Sequence, residues 1–542
     1  MRSLRLCLRR SRRRRPEIWT RATLTVLWAV GMSAVCAATG VAQQAVPDKQ
    51  AVPDTPAEAE DYLAFTPESE IGEFLAGLRA AGGHLHVDTI AWQGDLPIVL
   101  ARLPGKRQAA KRPAVLVVGL QHGDEQAGKE AALRLIRDAA FGALGGVLAD
   151  MDLLVMPALN PWGGSQRTRF DPDLADLNRD HMRLTSAATR ALHEVFVRYE
   201  PHAVLDLHEL GPVGYDVQIG VPTHPNVEPR LIEFARFFVL PQVVRDLAEG
   251  NVTFHEYVSS HPEPPETGEF LTYAPIAANN ARNVFALSGA VSFLVETAST
   301  REIAGLGGRT DRLLSTVVSL LRGLALHKDE LVSRVEAARG RMPFTTVLEA
   351  RNVADPRKPT LTWRVRNRYG SFSTETIHRW RPLVQPVLEV SPPVAYLLPP
   401  AELELVELLT RHGIPVRRLV SPVKILTGQY QLLARPGAAE PAAESAAVPT
   451  EAARSADDLI DWDEREVPAG TWVVVPQAPF ARLLLTLAEP YSQDGWFAFR
   501  SPAEGPASEA QGPIARIGDP ADLPALLRAT RPLRDSDMLL AE

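Results

Sequence analysis

The segment Leu116-Val-Val-Gly-Leu-Gln-His122-Gly-Asp-Glu125-Gln-Ala-Gly-Lys-Glu130 carries an apolar strand directly into the start of a helix. The residues before His122 are mostly apolar, which is typical of a strand buried on both faces of a sheet. His122 and Glu125 lie three residues apart where the strand ends, and imidazole and carboxylate are both ligands of zinc. A catalytic zinc takes three protein ligands, so this segment predicts two of the three.

Apolar strands and amphipathic helices alternate from residue 61 to residue 335. The clearest strands begin at Pro97, Ala114, Asp152, Ala203 and Val291, and the clearest helices are predicted at 127–140, 186–199, 230–247 and 310–334. Nearly continuous apolar strands between helices imply a sheet that is covered on both sides. We therefore predict an α/β fold, a three-layer domain with a mostly parallel or mixed central sheet and helices on both faces. Functional sites in such sheets collect at the carboxyl ends of the strands.

The pattern changes after about residue 340. Strand-like segments near residues 360–365 and 471–475 mix with one helical stretch at 402–412, which predicts a smaller β-rich C-terminal accessory domain over residues 340–542. Residues 436–456 are rich in Pro, Ala and Glu and predict a disordered insert within it. Residues 43–60, which are rich in Pro, Ala and acidic side chains, predict a linker that precedes the α/β domain.

The first 42 residues have the order of charged, apolar and small residues that is typical of a secretory signal peptide. Nine arginines lie between Arg2 and Arg21, and an apolar run follows that is short for a membrane span. We expect an exported protein, periplasmic or extracellular, with an uncleaved N-terminal anchor as the alternative. Both cysteines, Cys7 and Cys36, lie in this segment, so the mature protein is predicted to have neither a thiol nor a disulfide.

Charge excludes one class of partner. The whole chain has a formal net charge of −7, and removal of residues 1–42, with nine arginines and one acidic residue, leaves −15. A chain with this excess of acidic residues has no electrostatic basis for binding nucleic acid or an anionic membrane surface.

Two more apolar strands end on residues that could join the first pair. His208 closes the strand that begins at Ala203, and Glu296 closes the strand that begins at Val291. The structural interpretation is a histidine satisfied at a strand end and a glutamate in a salt bridge with Arg282 or Arg301. The functional interpretation is a third metal ligand and a general base, because a buried carboxylate is costly unless it has a partner. Glu209 alternates to the other face, where we expect a structural role.

The His-x-x-Glu spacing by itself is a weak signal, because His327-Lys-Asp-Glu330 repeats it. That copy lies inside a long amphipathic pattern, and we interpret it as a solvated helix face. His122 differs in two respects: an apolar strand precedes it, and Gly123 would allow the backbone to turn sharply at the strand end.

A polar loop region lies between these strands. It contains Asn160-Pro-Trp-Gly-Gly, then Arg167-Thr-Arg169, then Asp176-Leu-Asn178-Arg179-Asp180. The planar guanidinium of arginine matches a carboxylate, so the segment predicts an anion site beside the metal. For Arg167 we prefer an ordinary surface position.

Taken in order, these residues resemble a known family, the zinc carboxypeptidases of the carboxypeptidase A-like family. The matching set is His122-x-x-Glu125, Asn160-Pro, Arg169, Asp176-Leu-Asn178-Arg179, His208 and Glu296. The resemblance covers residues 61–335 and implies a catalytic domain over that range. Together with the export segment, it implies an exported bacterial member of the family.

The resemblance also implies a role for each matched residue. His122, Glu125 and His208 would bind Zn²⁺, one ion per chain, and Glu296 would act as general base and acid. Arg169 would polarise the carbonyl of the bond to be cleaved and stabilise the oxyanion. These roles follow from the resemblance and fit the chemistry that zinc and carboxylates provide.

The remaining matched residues would hold the substrate or the metal ligands. Asn178 and Arg179 would bind the terminal carboxylate of the substrate, and Asp176 would orient the first histidine ligand. The family places a mobile tyrosine over the substrate; Tyr273 is the candidate, and Tyr257 competes for the role. The residue that sets specificity cannot be assigned from the sequence.

Three functions are consistent with this pattern. The first is an exported zinc carboxypeptidase that hydrolyses the C-terminal bond of a peptide with a free carboxylate, using metal-activated water and Glu296. Cleavage of cell-wall stem peptides is a special case of it. The alternative is a zinc-dependent N-acyl amino acid amidohydrolase or deacylase, related to aspartoacylase and succinylglutamate desuccinylase. The third is a non-enzymatic peptide-binding homologue. Chain length and predicted export favour the carboxypeptidase.

Overall fold

The fold is described from a computed structural model of the 542-residue chain. The chain divides into two compact units, Met1–Gln50 and Ala51–Glu542, and the description concerns the second. The described residues are 52–105, 112–211, 214–262, 269–366, 371–430, 452–499, 514–534 and 537–538. The predicted signal peptide at 1–42 lies outside them, and so does most of the predicted insert at 436–456.

The helices are α1 (Pro56–Ala59), α2 (Ile71–Ala80), α3 (Ala127–Ala140), α4 (Pro161–Gln166), α5 (Ala187–Tyr199), α6 (Pro229–Phe234), α7 (Leu240–Glu249), α8 (Ala281–Leu287), α9 (Leu306–Leu326), α10 (Lys328–Gly340), α11 (Leu403–Arg411), α12 (Ala481–Ala488), α13 (Trp496–Phe499) and α14 (Leu523–Arg528). Within the described ranges, none of the helices combines the length and the apolar character that crossing a membrane requires.

The first strands are β1 (His86–Gln93), β2 (Leu96–Leu103), β3 (Ala114–Val118), β4 (Asp152–Met156), β5 (Ala203–Leu210), β6 (Val217–Gly220), β7 (Phe254–Glu256), β8 (Val258–Pro262), β9 (Glu269–Tyr273) and β10 (Val291–Ala298). The later strands are β11 (Thr346–Val353), β12 (Leu361–Arg366), β13 (Phe372–Ile377), β14 (Leu383–Val390), β15 (Ala395–Leu398), β16 (Arg417–Leu419), β17 (Val423–Tyr430), β18 (Arg454–Ser455), β19 (Ile460–Val467), β20 (Trp472–Val474), β21 (Ala515–Ile517) and β22 (Thr530–Pro532).

The central sheet has eight strands in the order β1-β2-β4-β3-β5-β10-β6-β7. Strands β4, β3, β5 and β10 run parallel. Strand β2 is antiparallel to β1 and β4, β6 is antiparallel to β10, and β7 is parallel to β6. One face packs against α2, α3, α7 and α9, and the other against α5, α8, α11 and α12. The predicted α/β class, with a mixed sheet and helices on both faces, is confirmed.

The predicted elements agree with the structure where the apolar period is strong. The strands predicted at 97, 114, 152, 203 and 291 are β2, β3, β4, β5 and β10. The prediction of one continuous helix over 310–334 is wrong. The segment is divided into α9 and α10 at His327, whose φ of −112° and ψ of 30° leave helical geometry. This break moves His327 and Glu330 out of one continuous helix face.

The C-terminal region contains further sheets, the largest with seven strands in the order β19-β17-β21-β15-β20-β16-β22. This region shares an apolar core with the α/β layer, in which Tyr396, Trp472 and Leu484 pack in the same cluster as Phe285 of α8. The predicted β-rich C-terminal region is therefore present. Its predicted boundary at residue 340 stays a prediction.

Residues of the C-terminal region also hold two loops of the α/β layer. The side-chain amide of Asn226 donates to the Val347 carbonyl oxygen at 2.9 Å and to Thr486 Oγ1 at 3.0 Å. The backbone N–H of Ala278 donates to Asp494 Oδ1 at 3.0 Å. These bonds fix the loop that follows β6 and the loop that precedes α8.

The segment predicted as a linker is partly described. Within residues 43–60, α1 begins after Thr55, whose side chain accepts from Glu58 N in a capping box. Glu58 forms an ion pair with Arg134 of α3 at 3.1 Å. The end of this segment therefore packs on the α/β layer, and residues before Val52 lie outside the described part.

Three buried histidines connect the sheet to the C-terminal region. His181 Nδ1 lies 3.2 Å from His193 Nε2, and the rings of His193 and His412 lie 5.0 Å apart. His412 Nε2 donates to the Met182 carbonyl oxygen at 3.2 Å. Burial lowers the pKa of His181 and of His412 to about 4, and burial also lowers the pKa of His193 well below its usual range. All three rings are therefore neutral in the folded protein at pH 7.

We expect acid to destabilise the fold through these histidines. In the unfolded chain they protonate near their ordinary pKa of 6.5, whereas the folded His181 and His412 resist protonation to about 4. The stabilisation is complete above pH 6.5 and is lost as the pH falls towards 4, by at most roughly 3 kcal/mol per histidine. Urea denaturation of the wild type at several pH values should show this slope, and His412→Phe should make it shallower. An unchanged slope in His412→Phe would contradict the assignment.

Candidate active site

Three chemically active side chains meet at the carboxyl ends of neighbouring strands. His122 follows β3, His208 lies in β5, and Glu296 lies in β10. His208 and Glu296 are direct partners in the parallel register of β5 and β10, so their side chains leave the same face of the sheet. The order β3-β5-β10 therefore brings all three to one edge.

The loop that carries His122 depends on two unusual backbone positions. The sharp turn is made at Leu120, which has a φ of 54°. The sequence predicted that Gly123 makes this turn, but glycine is required there for a different reason. A Cβ atom at Gly123 would lie 2.0 Å from the carbonyl carbon of Gly163 in α4, so only glycine allows this close approach.

His122, Glu125 and His208 form a compact group of donor atoms. His122 Nδ1 lies 3.0 Å from Glu125 Oε1 and 3.1 Å from His208 Nδ1, and His208 Nδ1 lies 2.9 Å from Glu125 Oε2. These three side chains are buried, and they are the group of His, Cys, Asp and Glu residues in the described part of the chain that could hold a metal ion. Separations near 3 Å suit atoms that bind one ion at about 2.0–2.2 Å.

Two aspartates fix the orientation of the histidine rings. His122 Nε2 lies 3.2 Å from Asp176 Oδ1, and His208 Nε2 lies 2.8 Å from Asp206 Oδ2. Because each Nε2 donates to a carboxylate, both Nδ1 lone pairs point at the carboxylate of Glu125. The lone pairs of both Nδ1 atoms and of the Glu125 carboxylate then face one another and repel unless a cation lies between them. The donor set therefore fits a divalent metal such as zinc.

Asp206 was missed by the sequence reasoning. It lies two residues before His208 on the same face of β5, and the two-residue period of a strand was the available signal. Its second carboxylate oxygen, Oδ1, accepts from Gln121 Nε2 at 2.7 Å, and Gln121 Oε1 accepts from His181 Nε2 at 2.9 Å. A chain of hydrogen bonds therefore runs from the buried histidines to the metal centre.

The electrostatic field of the group favours a charged carboxylate. Burial acts to raise the pKa of Glu125, but the adjacent His122 and His208 hold it well below its usual range. Burial acts to lower the pKa of His208, but Asp206 and Glu125 raise it well above its usual range. In the protein without metal, a proton on His208 would take the place of the cation.

Glu296 differs from the other carboxylates of the site. Burial raises the pKa of Glu296 to about 7, and its Oε2 atom has no hydrogen-bond partner among the described residues. It forms no ion pair with Arg282 or with Arg301 in that part of the chain. Arg301 instead binds Glu125 Oε1 at 2.8 Å, a contact that the sequence did not reveal. A buried carboxyl group with a pKa near neutrality can both take up and release a proton.

Arg169 lies against the metal donors. Its Nη1 atom is 3.1 Å from His122 Nδ1 and 3.6 Å from Glu125 Oε1. Its Nε and Nη2 atoms both lie 2.9 Å from Asp176 Oδ2, which holds the guanidinium in place. The structure therefore brings Arg169 and Asp176 together with the metal donors, and their roles stay predictions.

Asn178 and Arg179 lie at different depths. The side chain of Asn178 is buried; its amide lies 3.2 Å from His208 Nε2, and its carbonyl oxygen accepts from Ala281 N at 2.9 Å. Arg179 is exposed, and its Nη1 donates to the backbone carbonyl oxygen of Asn178 at 2.7 Å. Asn178 thus connects β5 to α8, and Arg179 has a side chain free to meet a substrate. Their roles as a carboxylate clamp stay predictions.

The two candidate tyrosines have different surroundings. The ring of Tyr273 packs 4.9 Å from Trp380 and 5.5 Å from the guanidinium of Arg236, and its contacts do not include the metal donors. Burial, together with the charge of Glu296, raises the pKa of Tyr257 to about 12. The backbone N–H of Tyr257, the competing candidate, donates to the carbonyl oxygen of Ile219, which pairs with Val295 next to Glu296. The contacts of Tyr273 described above are with Trp380 and Arg236.

Glu209 has the structural role expected from its alternation. Its Oε1 atom accepts from the backbone N–H of Ala127 at the start of α3 at 2.6 Å. Its Oε2 atom accepts from Arg309 Nε at 2.8 Å. The residue after a metal donor therefore fastens β5 to two helices on the opposite face of the sheet.

Comparisons of sequence find relatives among fungal enzymes. The chain is 28% identical over 357 residues to carboxypeptidase 2 of Trichophyton equinum, covering 59% of this chain and 63% of that protein. It is 27% identical over 354 residues to carboxypeptidase 2 of Trichophyton rubrum, covering 59% of this chain and 62% of that protein. The chain thus spans less than two thirds of these relatives. They are fungal, so the predicted bacterial origin stays a prediction.

Comparisons of structure give weaker similarities. A metallo-carboxypeptidase from Burkholderia cenocepacia is 18% identical with a TM-score of 0.39, covering 49% of this chain and 70% of that one. A metallo-carboxypeptidase from Pseudomonas aeruginosa, in complex with (2-guanidinoethylmercapto)succinic acid, is 23% identical with a TM-score of 0.36, covering 48% and 69%. No protein-family model matches the chain.

The sequence relatives and the donor group support the same conclusion. Similarity to proteins named carboxypeptidase extends over more than half of the chain. His122, Glu125 and His208 form a group that could hold a metal ion. The chain is therefore similar to proteins named carboxypeptidase, and it carries a group of side chains that could hold a metal ion.

Proposed function

We propose that the protein is a zinc-dependent carboxypeptidase that releases the last residue of a peptide with a free C-terminal carboxylate. The convergence of His122, Glu125 and His208 within 3.1 Å of one another, beside the partly unpartnered Glu296, carries the proposal. Bound zinc would supply a Lewis acid for the peptide carbonyl and lower the pKa of water. The similarity to proteins named carboxypeptidase supports this function.

Glu296 would move the proton that hydrolysis requires. Its free Oε2 atom can accept a proton from the attacking water, and its pKa of about 7 lets it hold that proton near neutral pH. It would then give the proton to the amine that leaves. This exchange restores the carboxylate, so one residue serves as base and then as acid.

Arg169 and Arg179 would bind two different groups of the substrate. Arg169 is fixed by Asp176 beside the metal donors, where its guanidinium can stabilise negative charge on the carbonyl oxygen. Arg179 is exposed to solvent, and it would form an ion pair with the terminal carboxylate of the substrate. Buried Asn178 would position the segment between them.

Matched peptides test the function directly. Zinc-loaded protein should release single residues from free-acid peptides and leave the corresponding C-terminal amides nearly intact. Cleavage confined to N-acyl amino acids would assign the protein to the amidohydrolases instead. Binding of peptides without turnover of either class, by protein with a full metal content, would favour the non-enzymatic homologue.

Arg179→Ala should raise the KM for free-acid peptides by roughly 10- to 100-fold, with a smaller effect on kcat. The reason is the loss of a hydrogen bond between charged groups, which is worth about 1.5–3 kcal/mol. Steady-state kinetics on a free-acid and amide pair would measure it. Arg245→Ala, at an exposed arginine of α7, is the matched control. An equal loss on free acids and amides would remove Arg179 from carboxylate binding.

We also propose that the protein is exported and acts in the periplasm or outside the cell. The order of charged, apolar and small residues in 1–42 supports this location. Cell fractionation and N-terminal sequencing of the expressed full chain test it. A mature protein that begins near residue 43 is expected, and a cytosolic protein that keeps its first residues would contradict it.

A further inference from the structure

Arg282 is a buried arginine beside the proposed active site. Its exposed fraction is 3%. Its Nη2 atom donates to the Pro275 carbonyl oxygen at 2.7 Å and to Thr223 Oγ1 at 3.2 Å. Its Nε atom has no hydrogen-bond partner among the described residues. The side chain is thus held in position by neutral oxygens while part of its donor capacity is unused.

Other arginines with the same burial have an acidic partner. Arg309 lies 2.8 Å from Glu209, and Arg516 lies 3.7 Å from Glu489. Arg282 has no carboxylate within ion-pair distance in the described part of the chain, and burial lowers its pKa to about 10. A buried cation without a counter-charge is costly, so this arrangement points to an anion that the protein itself does not supply.

The position of Arg282 follows from the register of β6. An ideal Cβ on Gly220 would lie 3.4 Å from Arg282 Cδ and 3.4 Å from Tyr257 Cβ, so both side chains pack on the backbone of this glycine. Gly220 pairs with Leu294, and Gln218 pairs with Glu296. Because residues two apart share a face, Arg282 and Tyr257 lie on the face of the sheet that carries Glu296.

A second unused donor lies on the same face. Gln218 Nε2 is buried and has no hydrogen-bond partner among the described residues, whereas Gln218 Oε1 accepts from Val258 N at 3.1 Å. Arg282 Nε and Gln218 Nε2 are both donors. A buried cation with an unused donor, and an unused amide donor on the same face of the sheet, favour an acceptor that carries negative charge.

The order of strands places Arg282 opposite to the metal donors. His208 lies on β5, Glu296 on β10 and Gly220 on β6, in the order β5-β10-β6. A substrate whose reacting carbonyl is near His208 and Glu296 would therefore extend its last residue towards β6. Arg179 is exposed to solvent and Arg282 is buried. Arg179 and Arg282 form no ion pair with a carboxylate in the described part of the chain, so together they would suit a last substrate residue that carries two carboxylates.

We propose that Arg282 is a specificity-determining residue and that the last residue of the substrate is acidic, a glutamate or an aspartate. The proposal rests on the carboxypeptidase activity proposed above and names the substrate class of the same site. The α-carboxylate would meet Arg179, and the side-chain carboxylate would meet Arg282 and Gln218. The planar guanidinium suits such a carboxylate, and a neutral side chain would leave the buried cation without a partner.

Substrates that differ only in their last residue test this proposal. N-acylated dipeptides that end in Glu, Gln, Leu or Lys should be compared with zinc-loaded protein. We expect kcat/KM for the Glu peptide to exceed that for the Gln peptide by on the order of 100-fold or more. Arg282→Gln should reduce the ratio to about 1 by slowing the Glu peptide alone.

Controls separate specificity from folding. Arg339→Gln also removes an arginine, a half-buried one that binds the Glu200 and Pro201 carbonyl oxygens at the amino end of β5, and it should keep the Glu preference. Zinc content and thermal melting confirm that each variant folds. If Arg282→Gln does not fold, the proposal is tested by the ratio of kcat/KM for the Glu and Gln peptides in the wild type. Equal cleavage of Glu, Gln and Leu peptides by the wild type would overturn the proposal.

Two further results distinguish the possible failures. If Arg282→Gln slows all free-acid peptides equally, Arg282 binds the α-carboxylate, and the acidic preference is wrong while the carboxypeptidase survives. If no peptide is hydrolysed, calorimetry with L-glutamate and L-glutamine still decides. Tighter binding of glutamate that Arg282→Gln abolishes would support the acidic pocket without the proposed activity, and equal binding of both would overturn it.

Discussion

Glu296→Gln should lower kcat by roughly 10²- to 10⁴-fold, the range that a general acid–base contributes, and it should keep the metal. Glutamine has nearly the same shape but cannot take up the proton of the attacking water. Glu296 is not among the grouped donor atoms of His122, Glu125 and His208, so metal content should be unchanged. Steady-state kinetics with metal analysis of the same sample measures both quantities.

The sequence itself offers a matched control for this substitution. Glu330 belongs to the second His-x-x-Glu segment, and it forms an exposed ion pair with Arg334 at 2.5 Å. Such pairs contribute about 0–1 kcal/mol, so Glu330→Gln should have full activity. Activity retained in Glu296→Gln, with zinc bound, would show that another group moves the proton.

His208→Ala should remove both the metal and the activity. It deletes one of the three donors, so the loss of metal affinity should exceed the roughly 10- to 100-fold that is typical for loss of a group hydrogen-bonded to a ligand. Asp206→Asn, which alters only such a group, should fall in that lower range. Equilibrium titration with zinc and a chelator would rank the wild type, Asp206→Asn and His208→Ala in this order.

Metal loss should also appear as lost thermal stability. A ligand present at about 1,000 times its Kd stabilises the folded state by about 4 kcal/mol. Chelator should therefore lower the melting temperature of the wild type and leave that of His208→Ala unchanged. His327→Ala, in the second His-x-x-Glu segment, should respond to chelator as the wild type does. Unchanged zinc binding in His208→Ala would remove this residue from the metal centre.

Much of the fold could be predicted because the central strands are apolar on both faces. This pattern gave β3, β4, β5 and β10 and the parallel core of the sheet, and it follows from burial alone. The division at His327 could not be predicted, because the apolar period continues through it and the break depends on tertiary packing. The C-terminal packing was equally hidden, since contacts such as Asn226 with Thr486 join residues distant in the sequence.

The metal donors could be predicted because each one ends a recognisable strand. The residues that support them could not, because their partners are remote in sequence and their types are ordinary. Asp206 resembles any strand residue until its contact with His208 is known. Tyr273 was the candidate for the tyrosine over the substrate, although the sequence around it matches the family poorly. Tyr257, the competing candidate, follows β7, which pairs with β6.

Hydrogen bonds join the C-terminal region to the loop that follows β6 and to the loop that precedes α8, so that region would contribute to the proposed substrate recognition. Asp494 binds the loop before α8, and Thr486 binds the loop after β6 through Asn226. Those loops carry Pro275 and Thr223, the oxygens that hold Arg282. Selection acting on substrate preference could therefore work through residues about two hundred positions away in the chain. If the proposed specificity is correct, the α/β layer transferred alone would keep the metal donors but lose the bonds that hold the loops around Arg282.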